Sequence, residues 1–337
     1  MRKSSDIIFI NLNETFYNKI GKSVFLFILF FIIPFMISCR EESSSTIETE
    51  KKEIKNRILL NIPLTGSLQN PAFSPAGEWI VFTRFINGYN GEPAEIYKYN
   101  LSSGQLILLV SDGSANVNLP GSSWNGKIKK IVFSSSREPH DEIFLIGENG
   151  ISNSEVRITY RKNRVAYEPT LSPDGVWVVF ESHYLEQEEN GIIIKYRIDK
   201  TSSYISLTKE GDDCRQPNWS PNGDKIVYQR YEGGQWDLWV MNPDGSNKKK
   251  ITTGPGDKTD ASFTSDGQFI VYSSDFESML SNIYKISIAG GNPVRLTNYS
   301  GYDGAPSISP DGTKLVFESC SKNPDNSQGT KLFIFNL

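Results

Sequence analysis

Six short stretches of one type recur along the chain at nearly constant spacing. Subtracting the positions of their last residues (82, 133, 180, 228, 272 and 317) gives steps of 51, 47, 48, 44 and 45 residues. Self-similarity at such a period indicates a repeat architecture and constrains the fold more than any local propensity. Each stretch is an aliphatic pair closed by an aromatic residue: Ile80-Val81-Phe82, Ile131-Val132-Phe133, Val178-Val179-Phe180, Ile226-Val227-Tyr228, Ile270-Val271-Tyr272 and Leu315-Val316-Phe317.

The fourth repeat shows the plan of one unit most clearly. A short strand is expected at residues 217–220, and Pro221-Asn222-Gly223 then supplies the φ values of a tight turn. Further strands are expected at 225–228, 236–240 and 249–252. Four antiparallel strands in a repeat of this length are typical of one blade of a β-propeller.

The other repeats follow the same plan, and the period together with closure of the ring sets the number of blades. We predict an all-β fold, a six-bladed β-propeller of four-stranded antiparallel blades over residues 58–337. The second repeat has Gly126-Lys127-Ile128 in place of the usual turn, so its hairpin should be the least regular. The sixth repeat lacks a fourth strand, and residues 58–65 supply one by pairing with residues 332–335. Without this N-terminal strand the ring would leave two open sheet edges.

The N-terminal segment has the features of an export signal. Basic residues precede a 14-residue apolar run at 24–37, which is short for a membrane-spanning helix. The run ends at Met36-Ile37-Ser38-Cys39, which resembles the lipobox of bacterial lipoproteins and makes Cys39 the expected lipidation site. We predict a lipoprotein-type signal peptide at 1–38 and a disordered polar tether at 39–57. The alternative is an uncleaved membrane anchor, and in both cases the rest of the chain is exported to the cell envelope.

Composition narrows the classes of function. The formal charge of −4 argues against nucleic-acid binding, which usually needs a basic face. Two histidines leave few ways to form a Ser-His-Asp triad, and three cysteines do not make a disulfide framework. We therefore expect no catalytic residues, no cofactor and a monomeric chain.

The turn and strand motifs together carry a family resemblance. The Ser-Pro-Asp-Gly turns at 172–175 and 309–312, the Ile283-Tyr284 third strand and the Leu296-Thr297 fourth strand resemble the TolB-like, WD40-like propeller repeat. The resemblance covers residues 58–337 and implies a protein-interaction or ligand-binding module of the bacterial envelope. TolB itself has a separate α/β domain before its propeller, where this chain has the predicted tether.

A candidate binding face follows from the fold. In a propeller the first strands line a central channel, and the loops leading into them share one face with the loops between second and third strands. Function tends to reside on loops, so we expect this face to bind an envelope protein or an extracellular polar ligand. The alternative is a solvated rim. The candidate residues are Tyr167, Arg215, Gln216, Asp260, Tyr302, Asp303, Arg84, Arg137, His140, His183 and Arg230.

Two of these residues support a second hypothesis. His140 and His183 fall in corresponding loops of adjacent blades, where two imidazoles and a carboxylate could hold a divalent metal. Oligogalacturonate lyases resemble this repeat and use a histidine-rich metal site, so a metal-assisted polysaccharide lyase or hydrolase is the alternative function. The other interpretation is two exposed loop histidines, and our leading hypothesis includes no metal.

Overall fold

The computed structural model describes residues 56–337, except 112, 114–115, 120–122, 151–153 and 327–328, and describes the backbone alone at 187–189 and 326. The predicted signal peptide, Cys39 and residues 40–55 of the tether lie outside the described residues. Within them lie 25 β-strands and a short 3-10 helix at Pro324–Asn326. No helix of the described part is long and apolar enough to cross a membrane.

The strands form six antiparallel sheets, which are the blades. The N-terminal strand β1 is Arg57–Leu59. Blade 1 contains β2–β5: Ser67–Phe73, Trp79–Phe85, Ala94–Asn100 and Leu106–Val110. Blade 2 contains β6–β10: Val117–Asn118, Trp124–Asn125, Lys130–Ser135, Glu142–Gly147 and Val156–Arg157. Blade 3 contains β11–β14: Tyr167–Leu171, Trp177–Tyr184, Gln187–Arg197 and Ile205–Ser206.

The other three blades repeat this order. Blade 4 contains β15–β18: Cys214–Trp219, Ile226–Glu232, Gln235–Met241 and Lys249–Lys250. Blade 5 contains β19–β22: Lys258–Phe263, Phe269–Ser274, Asn282–Ser287 and Val294–Arg295. Blade 6 contains β23–β25, with β1 as its outermost strand: Tyr302–Ile308, Lys314–Cys320 and Lys331–Asn336. The predicted all-β, six-bladed propeller is therefore confirmed.

The N-terminal strand closes the ring, as predicted. Strand β1 pairs antiparallel with β25, and the amide of Leu60 extends the ladder to the carbonyl of Leu332. The strand begins one residue earlier than predicted, at Arg57, and ends at Leu59. Residues 60–65 are not in a strand, and Pro63 among them has no N–H to donate to a ladder.

The recurring aromatic residues form the core between blades. Those at 82, 133, 180, 228, 272 and 317 are at most 2% exposed. Four of them stack on an aromatic residue of the third strand in the same blade, with ring centroids 5.7–6.0 Å apart. Fully burying one such side chain contributes about 1.5–3 kcal/mol, which explains why the repeat keeps this position.

Tight turns between first and second strands form one end of the propeller, here called the turn face (residues 74–78, 125–129, 172–176, 220–225, 264–268 and 309–313). In blade 3 the hydroxyl of Ser172 donates to Asp174 (2.5 Å) and accepts the amide of Trp177 (2.9 Å). Gly175 has a φ of +70°, which a residue with a side chain adopts only under strain. In blade 2 the first strand is split into β6 and β7, both paired with β8, so this hairpin is irregular as expected.

The opposite end of the propeller is here called the loop face. It comprises the loops between second and third strands (residues 86–93, 136–141, 185–186, 233–234, 275–281, 321–326 and 329–330) and the described segments leading into the first strands. Strand β1 enters at the other end, because Arg57 is opposite Phe335 and Phe335 is opposite Leu315, next to a turn of the turn face.

Candidate functional site

The first strands of five blades each carry a β-bulge at the same position. Bulges re-aim side chains, and non-glycine residues with positive φ are uncommon and strained. All five bulged residues have positive φ, and none is glycine: Asn70 (52°), Glu168 (46°), Gln216 (47°), Asp260 (54°) and Ala305 (47°). They line a cavity of about 30 Å³ in the central channel.

Polar side chains link blades 1, 2 and 3 at the loop-face mouth of the channel. The side-chain Nδ2 of Asn70 donates to Oδ1 of Asn118 at 2.9 Å. The side-chain nitrogen of Asn118 in turn donates to the Tyr167 hydroxyl at 2.7 Å and to a Glu168 carboxylate oxygen at 3.0 Å. The structure therefore places the predicted residue Tyr167 inside the mouth, where it bonds to the neighbouring blade.

Two tyrosines continue this network from blade 6 to blade 1. The hydroxyl of Tyr302 donates to Glu318 Oε1 (3.2 Å) and lies 3.3 Å from the hydroxyl of Tyr89, which belongs to a loop of blade 1. The second oxygen of Glu318 accepts the backbone N–H of Asn70 at 2.9 Å. Tyr302, another predicted residue, thus helps to seal the mouth of the channel.

Blades 3, 4 and 5 are linked in a comparable way. The backbone N–H of Gln216 donates to Glu181 Oε2 at 3.4 Å, and Gln216 Oε1 accepts the N–H of Asp260 at 3.0 Å. Nε of Arg215 lies 3.1 Å from Asp213 Oδ1 and 3.9 Å from Glu181 Oε1. Three predicted residues, Arg215, Gln216 and Asp260, are therefore brought together here.

Acidic groups are crowded and poorly solvated in this mouth. Burial raises the pKa of Glu318 to about 8 and that of Glu181 to about 7, although Arg215 opposes the second shift. Burial and the charges of Glu181 and Asp260 also raise the pKa of Glu168 well above its ordinary range. The mouth therefore holds several carboxyl groups, and two of them change protonation state near neutral pH.

Asp303 does not belong to the exposed candidate face, which corrects one prediction. Its carboxylate is fully buried and accepts two hydrogen bonds from the Arg57 guanidinium, at 2.6 and 2.8 Å. The same guanidinium donates to Ser319 Oγ (2.7 Å) and stacks 4.0 Å from the centroid of the Tyr299 ring. Asp303 is thus the internal partner of the N-terminal strand, since a buried carboxylate requires a paired charge.

Arg84 and Arg137 bind to other residues of the propeller and hold the loop face in place. Arg84 donates to the carbonyl of Thr65 and to Glu95, both at 2.8 Å. The guanidinium of Arg137 lies over the Phe144 ring, 4.9 Å from its centroid. Both guanidinium groups are mostly covered, so these two predicted residues position loops and offer little surface to a ligand.

The two histidines have hydrogen-bond partners within the propeller. Nε2 of His140 donates to the carbonyl of Arg161 at 2.6 Å and lies 3.5 Å from Glu142. Nδ1 of His183 donates to the carbonyl of Tyr184 at 3.1 Å. Among the described residues, no group of three or more His, Cys, Asp or Glu side chains could hold a metal ion.

Arg230 lies at the base of the blade 4 loop. It pairs with Asp212 at 3.2 Å, and its guanidinium is 5.0 Å from the centroid of the Trp239 ring. Beyond it the rings of Tyr231 and Trp236 pack 5.2 Å apart at the loop tip. Arg230 therefore supports an aromatic tip at which Tyr231 is exposed.

Sequence reasoning missed several residues of the mouth, although the repeat contains the signal for them. Glu181 and Glu318 directly follow the recurring aromatic residue, and a polar residue stands there in every repeat: Thr83, Ser134, Glu181, Gln229, Ser273 and Glu318. The hydroxyl of Thr83 accepts the amide of Leu119 and that of Ser273 accepts the amide of Ala305, as Glu318 does for Asn70. In four of the six repeats, at Thr83, Glu181, Ser273 and Glu318, the side chain at this position accepts a backbone N–H from the first-strand region of the next blade.

The turn-face mouth of the channel is lined by more apolar residues than the loop-face mouth. It is a cup of about 350 Å³. Its lining includes a ring of large apolar residues, one from each blade: Phe73, Trp124, Leu171, Trp219, Phe263 and Ile308. The strained backbone and the acidic residues are therefore concentrated at the loop-face end.

Comparison with known families matches this architecture. The TolB beta propeller domain family matches residues 44–235 and 200–332. The chain belongs to the TolB β-propeller family. The bulged strands and closing strand described above are thus features of a TolB-family propeller, and the predicted resemblance is confirmed.

Curated relatives of this TolB-family propeller carry TolB names. The TolB homologue of Chlorobium luteolum is 30% identical over 137 residues, which are 41% of this chain and 29% of that protein. The Tol-Pal system protein TolB of Francisella tularensis is 36% identical over 115 residues, 33% of this chain and 24% of that protein. The matched part spans less than a third of the length of either relative.

Solved structures show the same fold at low identity. TolB from Acinetobacter baumannii has a TM-score of 0.58 and 18% identity, and the match covers 85% of this chain and 64% of that one. An oligogalacturonate lyase in complex with manganese has a TM-score of 0.53 and 14% identity, covering 81% and 90%. At such identities the likeness concerns the fold, which TolB proteins and lyases share.

Proposed function

We propose that this TolB-family propeller is an exported, lipid-anchored protein that binds a protein partner of the cell envelope through its loop face, without catalysing a reaction. Family membership and the Tol-Pal naming of a relative support an envelope partner, such as a component of that system. The lipobox-like stretch ending at Cys39 supports the anchor and a location at the outer membrane, on its periplasmic or surface side.

One observation carries the assignment to the loop face. Five strained bulged residues line the cavity in the central channel, and Tyr184 and Tyr231 stand exposed at the loop-face ends of their strands. Local strain of this kind persists where it serves a function, and tyrosine, tryptophan and arginine dominate the energetics of protein interfaces. The turn face is instead built from repeated turns.

The position of β1 fits the proposed anchor. Because β1 begins at the turn face, the proposed tether would join the propeller at the end opposite the loop face. A chain running from Cys39 to Asn56 spans at most roughly 60 Å. The anchored propeller could therefore reach a partner in the envelope without releasing its lipid.

No observation in the described residues supports the alternative hypothesis of a metal-assisted lyase or hydrolase. His140 and His183 each donate to a backbone carbonyl, and the likeness to the manganese-bound lyase extends to the fold alone. We therefore propose one function, that of a binding module.

In-cell photocrosslinking with the full-length chain tests this proposal. A photoreactive residue is placed singly at Asn90 and at Tyr231 on the loop face, and at Asn222 on the turn face as control. We expect a discrete crosslinked protein from at least one loop-face position and none from Asn222. Cys39→Ser should move the chain from the membrane to the soluble fraction and reduce the crosslink several-fold. Equal crosslinking at Asn222, or unchanged membrane association, contradicts the corresponding half of the proposal.

A further inference from the structure

Apolar and aromatic side chains stand exposed on three neighbouring blades of the loop face. Tyr184 and Leu185, each 45% exposed, form the tip of blade 3, and Tyr231, 47% exposed, packs beside Trp236 at the tip of blade 4. Met279 is 99% exposed in the loop of blade 5. These five residues are here called the apolar tips. Large apolar side chains exposed close together indicate a contact surface.

The tip of blade 3 is braced against the segment that leads into blade 4. The guanidinium of Arg164 lies 3.6 Å from the centroid of the Tyr184 ring and pairs with Glu210. The amide of Tyr231 donates to the carbonyl of Asp213 in that same segment at 3.0 Å. The tips of blades 3 and 4 are therefore held by one connecting segment. Because they are preorganised, binding a partner would cost little conformational entropy at these tips.

The tip of blade 4 is linked to blade 5 in turn. The backbone N–H of Trp236 donates to Asp257 Oδ1, and the N–H of Asp257 donates to Asp275 Oδ1, both at 2.8 Å. The Trp236 ring also lies 5.1 Å from the guanidinium carbon of Arg215. A continuous set of contacts thus runs beneath the apolar tips from blade 3 to blade 5.

A cavity of about 510 Å³ lies beside the tip of blade 3. Its lining includes Asn163, Tyr184, Leu185 and Glu186. The volume lies in the range of sites that accept a side chain or small ligand, and the described lining residues combine the apolar surface of Tyr184 and Leu185 with the carboxylate of Glu186.

Unpaired charge around the tips is mainly negative. The three arginines of this region are each paired with a carboxylate: Arg164 with Glu210, Arg215 with Asp213 and Arg230 with Asp212. Exposed acids remain at Glu186, Glu232, Asp257 and Asp275, against exposed lysines at Lys162 and Lys209.

We propose that the apolar tips of blades 3, 4 and 5 are a docking surface for a basic protein segment bearing an aromatic or large apolar anchor. The anchor fits the cavity beside Tyr184 and Leu185, and lysine or arginine side chains of the segment face Glu186, Glu232 and the two aspartates. This inference rests on the proposed function. It specifies which half of the loop face binds the partner, and which chemical character the bound segment has.

The surface selects against other occupants. Anionic polysaccharides and anionic lipid headgroups would meet the same acidic side chains and be repelled. Tyrosine and tryptophan at the centre with charges at the rim is the composition of protein interfaces. The sign of the charge therefore decides among the classes of partner.

Two defined peptides test the proposal with the full-length chain in non-ionic detergent. Both are 15-mers with a central Trp-Leu pair, one carrying six lysines and the other six glutamates, and binding is followed by fluorescence anisotropy. We expect the lysine peptide to bind at least tenfold more tightly than the glutamate peptide. The double variant Glu186→Lys with Glu232→Lys should weaken the lysine peptide at least tenfold.

A variant with the same change in net charge on the other face is the control. Glu78→Lys with Asp224→Lys alters two exposed acids of the turn face and should change the affinity less than twofold. Equal binding of both peptides, or equal loss in both double variants, overturns the inference. Tighter binding of polygalacturonate or of phosphatidylglycerol vesicles than of the lysine peptide also overturns it. Crosslinks from Asn90 together with a failed peptide test would leave the proposed function standing and remove this inference alone.

Discussion

The two ends of this propeller are built by different rules. At the turn face, the same short turn recurs with the same internal hydrogen bonds, and an apolar ring lies inside it. At the loop face, each blade contributes different side chains, and strained bulges, buried acids and exposed aromatics accumulate. The comparison teaches that the repeated turns and bulges form a common scaffold, and that the two faces differ in the side chains that each repeat adds to it.

The largest expected effect on stability concerns the buried ion pair between Arg57 and Asp303, which joins the N-terminal strand to blade 6. Arg57→Ala leaves the buried Asp303 carboxylate without its partner and removes the side chain that fixes β1, so the free energy of unfolding should fall by about 3–5 kcal/mol. Arg197→Ala, which breaks an exposed pair with Asp199 near the turn face, should have a much smaller effect. Urea denaturation of the two variants measures the difference, and equal losses would show that the buried pair is not special.

A smaller effect is expected from a repeated turn. A Cβ on Gly175 would lie 2.4 Å from Cγ2 of Ile128, in addition to the strain of its positive φ. Gly175→Ala should therefore lower stability by about 2 kcal/mol. Gly223→Ala, at the same position of blade 4, has its nearest contact at 3.4 Å and should lose about 1 kcal/mol through strain alone. Thermal melts of the pair test this, and the reverse order would contradict the packing argument.

The effect of the buried acids depends on pH, and it is the smallest of these effects in mildly acidic solution. Glu318 has a pKa near 4.5 when exposed and about 8 in the fold, so the unfolded chain loses this proton first as pH rises. Its contribution therefore lowers the free energy of unfolding progressively between about pH 5 and pH 8. Glu318→Gln cannot ionise and should be more stable than the wild type by about 1 kcal/mol at pH 5.5, with little difference at pH 4 and a difference that widens as the pH rises toward 8.

A second acid provides the comparison for this pH effect. Burial raises the pKa of Glu181 to about 7. Glu181→Gln should therefore reduce the dependence of the unfolding free energy on pH up to about pH 7, whereas Glu318→Gln should do so up to about pH 8. Denaturant titrations at several pH values test both variants. Identical slopes in the wild type and both variants would show that these carboxyls do not control the stability of the mouth.

Much of the fold could be predicted because periodicity is a property of the chain. The spacing of the aromatic residues predicts six blades, and the missing fourth strand of blade 6 predicts the pairing of β1 with β25. The unusual turn at 126–128 predicts an irregular hairpin in blade 2, and in the structure the first strand of that blade is split into β6 and β7. The start of β1 was misplaced by one residue, because the reason to include Arg57 is a contact with Asp303, 246 residues away.

The candidate face was predicted less completely. Position in the repeat indicates that Asp303 and Tyr302 lead into the first strand of blade 6, yet one is buried beneath an arginine and the other bonds across the channel mouth. Accessibility of a side chain depends on what neighbouring blades place against it. The same limit applies to Arg84, Arg137 and His140, whose partners come from other segments of the chain.

By itself the sequence determined the number of blades, their strand order and the closing of the ring. These follow from a regular alternation of apolar strands and turns, and such local patterns are readable along a single chain. The tertiary structure alone decided which polar residues face the channel, which acids are desolvated and which aromatic side chains stand exposed. Those properties depend on distances between blades, and the physical reason is that burial and charge are set by three-dimensional neighbours.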